Sequence, residues 1–209
     1  RSTTPVQNSY PALFPLLSLY MESSLETNKK NKKDNSVVGV FPGATYDTKN
    51  RILKATGAYR LLYRDFIIDA KELTYDENTD IIVAGGGVVV SGETLTGNFP
   101  EATLNLKEDK IYFKGPINAT YNELNFTGEQ GIYDNVNETF EVLGKAIVTR
   151  ETDILEAERA FYTSKTGIVE VFGKKQKFIY TGEGRELTGN YAKYDVNKNL
   201  VEVPDKFEF

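Results

Sequence analysis

The chain has 209 residues, a formal net charge of −5, no Cys and no His. That composition excludes a disulfide framework, a thiol nucleophile, Cys- or His-ligated metals and the Ser-His-Asp triad, and it supplies no overall basic field for nucleic acid. The length fits one domain with room for an appendage, and no apolar run reaches the about 20 residues that a spanning helix needs.

The first 36 residues stand apart from the pattern that organises the rest. The chain begins at Arg1 rather than Met, so a removed signal peptide, a removed membrane anchor and a trimmed start all fit. Pro15 to Glu26, "PLLSLYMESSLE", predicts a short amphipathic helix: Pro15 suits the first helical position, and Leu17, Tyr20, Met21 and Leu25 fall near one face. Such a helix caps one end of a sheet, docks a partner or lies close to a membrane. Asn28 to Ser36, "NKKNKKDNS", reads as a solvated linker whose four lysines are also able to meet anionic head groups.

From Val38 onward one pattern recurs. Tyr46 and Tyr75 stand 29 residues apart, as do Tyr133 and Tyr162; Leu104 occupies the midpoint between Tyr75 and Tyr133, and Tyr194 follows Tyr162 after 32. Asp47, Asp76, Asp134 and Asp195 follow four of these tyrosines, each ahead of a polar run such as Asp76-Glu-Asn-Thr79. Asp in that place bonds the backbone ahead of it, so these four are turn residues rather than a metal or catalytic set. Eleven residues after the first five anchors stand Gly57, Gly86, Gly115, Gly144 and Gly173. Small residues precede most anchors by five: Ala70, Gly128, Ala157 and Gly189.

Seven residues after the anchors come Leu53, Ile82, Ile111, Phe140, Val169 and Val201; nine after come Ala55, Ala84, Phe113, Val142, Val171 and Val203. All are apolar, whereas the position between them is mixed: Lys54, Val83, Tyr112, Glu141, Glu170 and Glu202. Alternation at a period of two puts one side of a strand inside and the other in water. The run Gly85-Gly86-Gly87 is therefore no phosphate loop, because Val88 to Val90 continues as strand where a helix would have to open. A glycine at a fixed place within a strand marks a bulge or bend.

Two architectures carry such a repeat: a parallel β-helix, or a rolled antiparallel sheet that gains two strands per repeat. The short Tyr-Asp turns favour antiparallel neighbours.

The motif Ala-x-x-Leu-x-Tyr-Asp, turn, Ile-x-Val-x-Gly-x-Val-x-Val resembles the OstA-like repeat of the Lpt family, the periplasmic lipopolysaccharide-transport bridge proteins of Gram-negative bacteria. It stands as "AKELTYDENTDIIVAGGGVVVSGETLTG" (Ala70 to Gly97) and as "GEQGIYDNVNETFEVLGKAIVTRETDILEA" (Gly128 to Ala157). The resemblance covers Val38 to the C terminus. Leu104-Asn105, Tyr162-Thr163 and Pro116 depart from the pattern.

The resemblance implies an all-β fold, a twisted antiparallel β-jellyroll built as an open rolled sheet from about six 29-residue repeats, over residues 37–209 behind an N-terminal segment 1–36. It implies the soluble bridge component or the inner-membrane-anchored one, in the periplasm, with no catalytic residue, metal or cofactor. The expected partners are lipopolysaccharide or a similar lipid, other Lpt-type jellyrolls docking through edge strands, and a second copy of this chain. The "KFEF" run from Lys206 to Phe209 offers an extra edge strand. The lipid-lining set would be the twelve stripe residues. The same stripe is also what any β-sandwich core needs, so a structural surface protein that assembles through strand edges without lipid is the rival function. An enzyme would need two close carboxylates in a polar cleft. Asn118-Ala-Thr, Asn125-Phe-Thr and Asn137-Glu-Thr are glycosylation triplets only in a secreted eukaryotic chain, and scattered acids such as Glu101, Glu108 and Asp109 read as surface charge without calcium-ligand spacing.

Overall fold

The repeated turn is built as the Asp positions require. In the computed structural model, which describes residues 3–6, 17–20, 37–41 and 43–204, the Asp47 carboxylate accepts the N–H groups of Lys49 and Asn50 at 3.1 and 3.2 Å. Asp76 accepts from Asn78, Asp134 from Val136 and Asn137, and Asp195 from Asn197 and Lys198, all within 3.1 Å. Asn105 does the same for Glu108 at 3.0 Å, so the repeat that lacks Tyr-Asp keeps the turn. Four residues beyond each of these positions, and beyond Thr163 in the remaining repeat, the backbone is left-handed, at Arg51, Asp80, Asp109, Glu138, Asn199 and Gly167. That kink returns the chain antiparallel to itself and was not legible from residue type, since only one of the six is glycine.

The chain divides into two compact units, Arg1–Ile111 and Tyr112–Phe209. In the first, the strands are β1 (Thr3–Val6), β2 (Leu17–Tyr20), β3 (Val37–Val40), β4 (Ala44–Asp47), β5 (Ile52–Tyr63), β6 (Phe66–Asp76), β7 (Ile81–Gly85), β8 (Val88–Ser91), β9 (Leu95–Phe99) and β10 (Glu101–Asn105). Strand β11 (Lys110–Tyr121) spans the boundary. The second unit continues with β12 (Leu124–Asp134), β13 (Thr139–Arg150), β14 (Asp153–Thr163), β15 (Ile168–Phe172), β16 (Phe178–Gly182), β17 (Arg185–Gly189), β18 (Tyr191–Asp195) and β19 (Leu200–Glu202). Among the described residues there is no helix. The fold is all-β, and every recorded pairing is antiparallel except β2 with β3.

Each unit is two layers that share long bent strands. In the first unit one layer runs β1-β4-β5-β6-β7-β10 and the other β2-β3-β5-β6-β8-β9, with β5 and β6 passing through both. The pairing of β5 with β6 slips between Thr56 and Tyr59, at Gly57. In the second unit β12, β13 and β14 are continuous; one layer goes on through β15, β18 and β19, the other through β16 and β17. Bulges between Thr127 and Gln130 and between Leu143 and Ala146 bend the shared strands. Gly57, Gly86 and Gly144 take positive φ at such corners, and Gly115 precedes a cis Pro116. The small residues five before the anchors sit opposite: a Cβ on Gly128 would collide with a Val142 methyl and stand 3.2 Å from the Gly144 carbonyl. Glycine at these places marks the strand corners that the sequence pattern anticipated.

The helix expected over Pro15 to Glu26 is corrected where it is described: Leu17–Tyr20 is a strand running parallel to β3. Leu-Ser-Leu-Tyr alternates at a period of two, and pairing with a neighbouring strand supplies the backbone partners that an isolated short helix would lack. The rest of that stretch, the Lys-rich linker and the "KFEF" strand lie outside the described residues.

Candidate functional site: the apolar interior of each unit

The stripe residues owe their position to the hairpin register. Each tyrosine anchor pairs with the residue seven further on, across the turn: Tyr46 with Leu53, Tyr75 with Ile82, Tyr133 with Phe140, Tyr162 with Val169 and Tyr194 with Val201. The next anchor pairs on the other side, as Leu53 with Tyr75 and Phe140 with Tyr162. A continuous inner row results in each unit. Beside it runs a row of smaller residues: Ala55, Leu73, Ala84 and Ala102 in the first unit, and Gly131, Val142, Ala160, Val171 and Ala192 in the second.

Ten of the twelve stripe residues are buried: Leu53, Ala55, Ile82, Ala84, Ile111, Phe113, Phe140, Val142, Val169 and Val171. Their alternates Val83, Tyr112, Glu141 and Glu170 are only half-buried, so the register is the expected one. Val201 is half-buried in the edge strand β19. The inward placement expected of Val203 is corrected: it lies beyond β19 and is 39% exposed. Pro204 follows it, lacks an N–H for a ladder, and lets the pairing lapse.

The two interiors are filled differently. In the second unit Phe140 is ringed by Phe126 at 5.1 Å, Tyr121 at 6.2 Å and Phe113 at 6.4 Å, and Tyr121 meets Tyr162 edge-on at 5.3 Å. The first unit also buries aromatic rings, Tyr59, Tyr63, Phe66, Tyr75 and Phe99, with Tyr63 and Phe66 6.5 Å apart, but at the place of Phe140 it has the aliphatic Ile82, paired with Tyr75.

The tyrosine hydroxyls mark the polar end of each interior. Tyr75 donates to Asp80 at 2.5 Å, and burial foremost, then that carboxylate, pushes its ionisation far up. Tyr63 donates to the buried Asp109, which also takes two bonds from Arg64, at 3.2 and 2.5 Å. In the second unit Tyr194 and Tyr180 donate to the buried Asp153 at 2.8 and 3.0 Å. Burial, then Asp153, pushes Tyr180 up to about 12. Sequence reasoning read Asp109 as surface charge and passed over Asp153. The tertiary fold, not local spacing, makes each a buried acceptor. The hydroxyls keep the buried carboxylates satisfied. Among the described residues no three acids converge as a metal site.

The second unit forks beyond β14. Among the described residues, β17 and β19 form the outer edges of its two layers, with Leu187 and Val201 half-buried and Leu200 45% exposed. A Cβ on Gly189 would stand 3.6 Å from a Val203 methyl, so the chain after β19 comes back against the end of β17 and narrows the fork.

Two bent antiparallel layers that share their long strands and part at one side are an open β-jellyroll, the class of fold that the repeat implied. That fold is similar to the crystal structure of LptH, the LptA homologous periplasmic component of the conserved lipopolysaccharide transport device from Pseudomonas aeruginosa. The match has a TM-score of 0.50 at 10% identity and covers 55% of this chain and 94% of that one. At that identity the likeness is one of fold, and it agrees with the resemblance read from the repeat. No family model matches the chain, and no curated protein matches it.

Proposed function

We propose that the chain is a non-enzymatic bridge protein of lipopolysaccharide transport, working in the periplasm. The N-terminal segment 1–36 leads into a jellyroll over 37–209, whose interior takes up acyl chains and whose edge strands dock on other jellyrolls or on a second copy. One observation carries this reading: a jellyroll with an LptA-like fold presents an unbroken inner row of apolar side chains that leads to a fork between outer edges. Carrying a lipid through water demands such a surface, because each exposed CH₂ costs about 0.8 kcal/mol. In the structure the row is closed, with Phe140, Val169 and Val171 fully buried. Loading therefore requires the layers to part at the β17/β19 side, where fewest pairings hold them.

Photo-crosslinking tests it. A crosslinker at Phe113 or Val201 should capture lipopolysaccharide in cells, whereas one at Glu141, on the outer face, should not. Proline at Val201 should weaken self-association seen by light scattering, because it disrupts the outer edge. A folded protein that yields no lipid adduct from any interior position would leave the stripe as a core alone and return the function to the strand edges.

A further inference from the structure

The corner between β13, β14 and the turn before β16 holds a pocket of about 280 Å³ that has no part in the apolar interior. Its walls include Lys145, Ile147, Glu156, Glu158, Lys177 and Ile179. Ile147 sits between the buried Ala146 and Val148, and Ile179 between the buried Phe178 and Tyr180. Both isoleucines therefore point away from the core, onto the outer face of the sheet. Register sets them in one row, since Ile147 pairs with Glu156 and Glu156 with Ile179.

Two features make this more than a surface dent. Glu158 accepts the N–H groups of Lys175 and Gln176 at 2.6 and 2.7 Å, which pins the 173–177 turn over the corner and occupies one oxygen of a carboxylate that stays charged. Lys145 is also held left-handed, at φ 48°, directly after Gly144 at φ 80°. The place twelve residues after Tyr75 is Gly87, at φ 89°, where a side chain would meet nothing within 4 Å. Glycine adopts such a φ freely and lysine does not. The repeat anchored at Tyr133 thus carries a strained lysine where the repeat anchored at Tyr75 has glycine, and the lysine lines the pocket. Among the described residues, Lys145 and Lys177 have no ion-pair partner, and Glu156 is exposed with none.

We propose that this pocket binds a phosphate ester of a polyol: the phosphate between Lys145 and Lys177, the carbon chain on Ile147 and Ile179, and a hydroxyl donating to Glu156. Lysines suit phosphate as point charges, and a carboxylate beside them favours an anion that brings its own donor over a bare one. Glycerol phosphate, free or as a lipid head group, is the simplest compound of this kind. The site faces away from the lipid-carrying interior and stands independently of that reading.

The test is an amide-shift titration of the full chain with glycerol 3-phosphate and, separately, inorganic phosphate. Saturable shifts at Lys145, Ile147, Lys177 and Ile179 are expected, with tighter binding of glycerol 3-phosphate. Lys145→Gly and Lys177→Ala should each weaken it about tenfold or more. Lys145→Gly should also raise the thermal midpoint, because glycine relieves the strain, so lost binding there is not lost folding. Glu156→Gln should reduce the preference for glycerol 3-phosphate over phosphate. Cosedimentation with phosphatidylglycerol vesicles, competed by glycerol 3-phosphate, would assign the site to lipid head groups; its absence beside a positive titration would assign it to the free ester. Diffuse unsaturable shifts, or unchanged affinity when Lys145→Gly and Lys177→Ala are combined, would overturn the proposal.

Discussion

In the first unit Arg64 bonds Asp109 twice, its Nη2 at 2.5 Å, beside the Tyr63 hydroxyl. In the second, Arg150 reaches nothing closer than 3.3 Å among Tyr194, Asn199 and Glu123, and its buried Nε has no partner. There the buried carboxylate, Asp153, is satisfied by two tyrosines instead. The interiors differ in parallel at one place, where the second unit has Phe140 ringed by Phe126, Tyr121 and Phe113 and the first has the aliphatic Ile82. Both ends are closed by the same pairing of a tyrosine with a buried acid, but only one also relies on a cation. Equivalent places in one fold can therefore differ in how much stability a charge supplies.

The largest effect expected from this contrast lies in the cores. Phe140→Ala should cost about 3–5 kcal/mol, near the upper end, because three ring contacts go with the buried area. Ile82→Ala, equally buried in the first unit, should cost about 2–4 kcal/mol. Urea unfolding followed by circular dichroism measures both. Equal losses would show that the aromatic cluster adds nothing beyond area.

A smaller contrast lies at the ends. Arg64→Met leaves Asp109 buried without its cation and should cost about 3 kcal/mol. Arg150→Met removes an arginine that is poorly satisfied and should cost under about 1 kcal/mol. The ordering, read from the same urea midpoints, matters more than either value. Its reversal would mean that Arg150 finds partners in solution that the structure lacks.

The smallest effect is in acid. The hydrogen bond from Arg51 holds the Glu77 carboxyl below the usual carboxylate range, and the backbone N–H of Gln176 does the same for Glu158. Both shifts are downward, so the stability they contribute is present at neutral pH and is lost as pH falls through the lowered values, from about pH 4 downward. Glu77→Gln and Glu158→Gln should each flatten that part of the pH–stability curve. Salt should weaken the Glu77 contribution more, because its partner is a half-exposed cation and the partners of Glu158 are amides. Identical salt responses would place both groups in the same kind of contact.

The sequence by itself determined the strand period, the turns and the corners. Alternation at two, Asp ahead of a polar run and a glycine eleven residues after the first five anchors are local demands of backbone and solvent, so Leu53, Ile82, Phe140 and Val171 were legible as inward-facing without any knowledge of their neighbours. What only the tertiary structure decided depends on partners distant in the chain. Leu17–Tyr20 is a strand because β3 lies beside it. Val203 is exposed because the ladder stops at Pro204. Asp109 and Asp153 are buried because tyrosines and an arginine from other hairpins converge on them. Phe140 sits in an aromatic cluster because strands distant in the chain bring Phe113, Tyr121 and Phe126 around it. Periodicity says which side of a strand is apolar; what covers that side is settled by long-range packing, which no local pattern encodes.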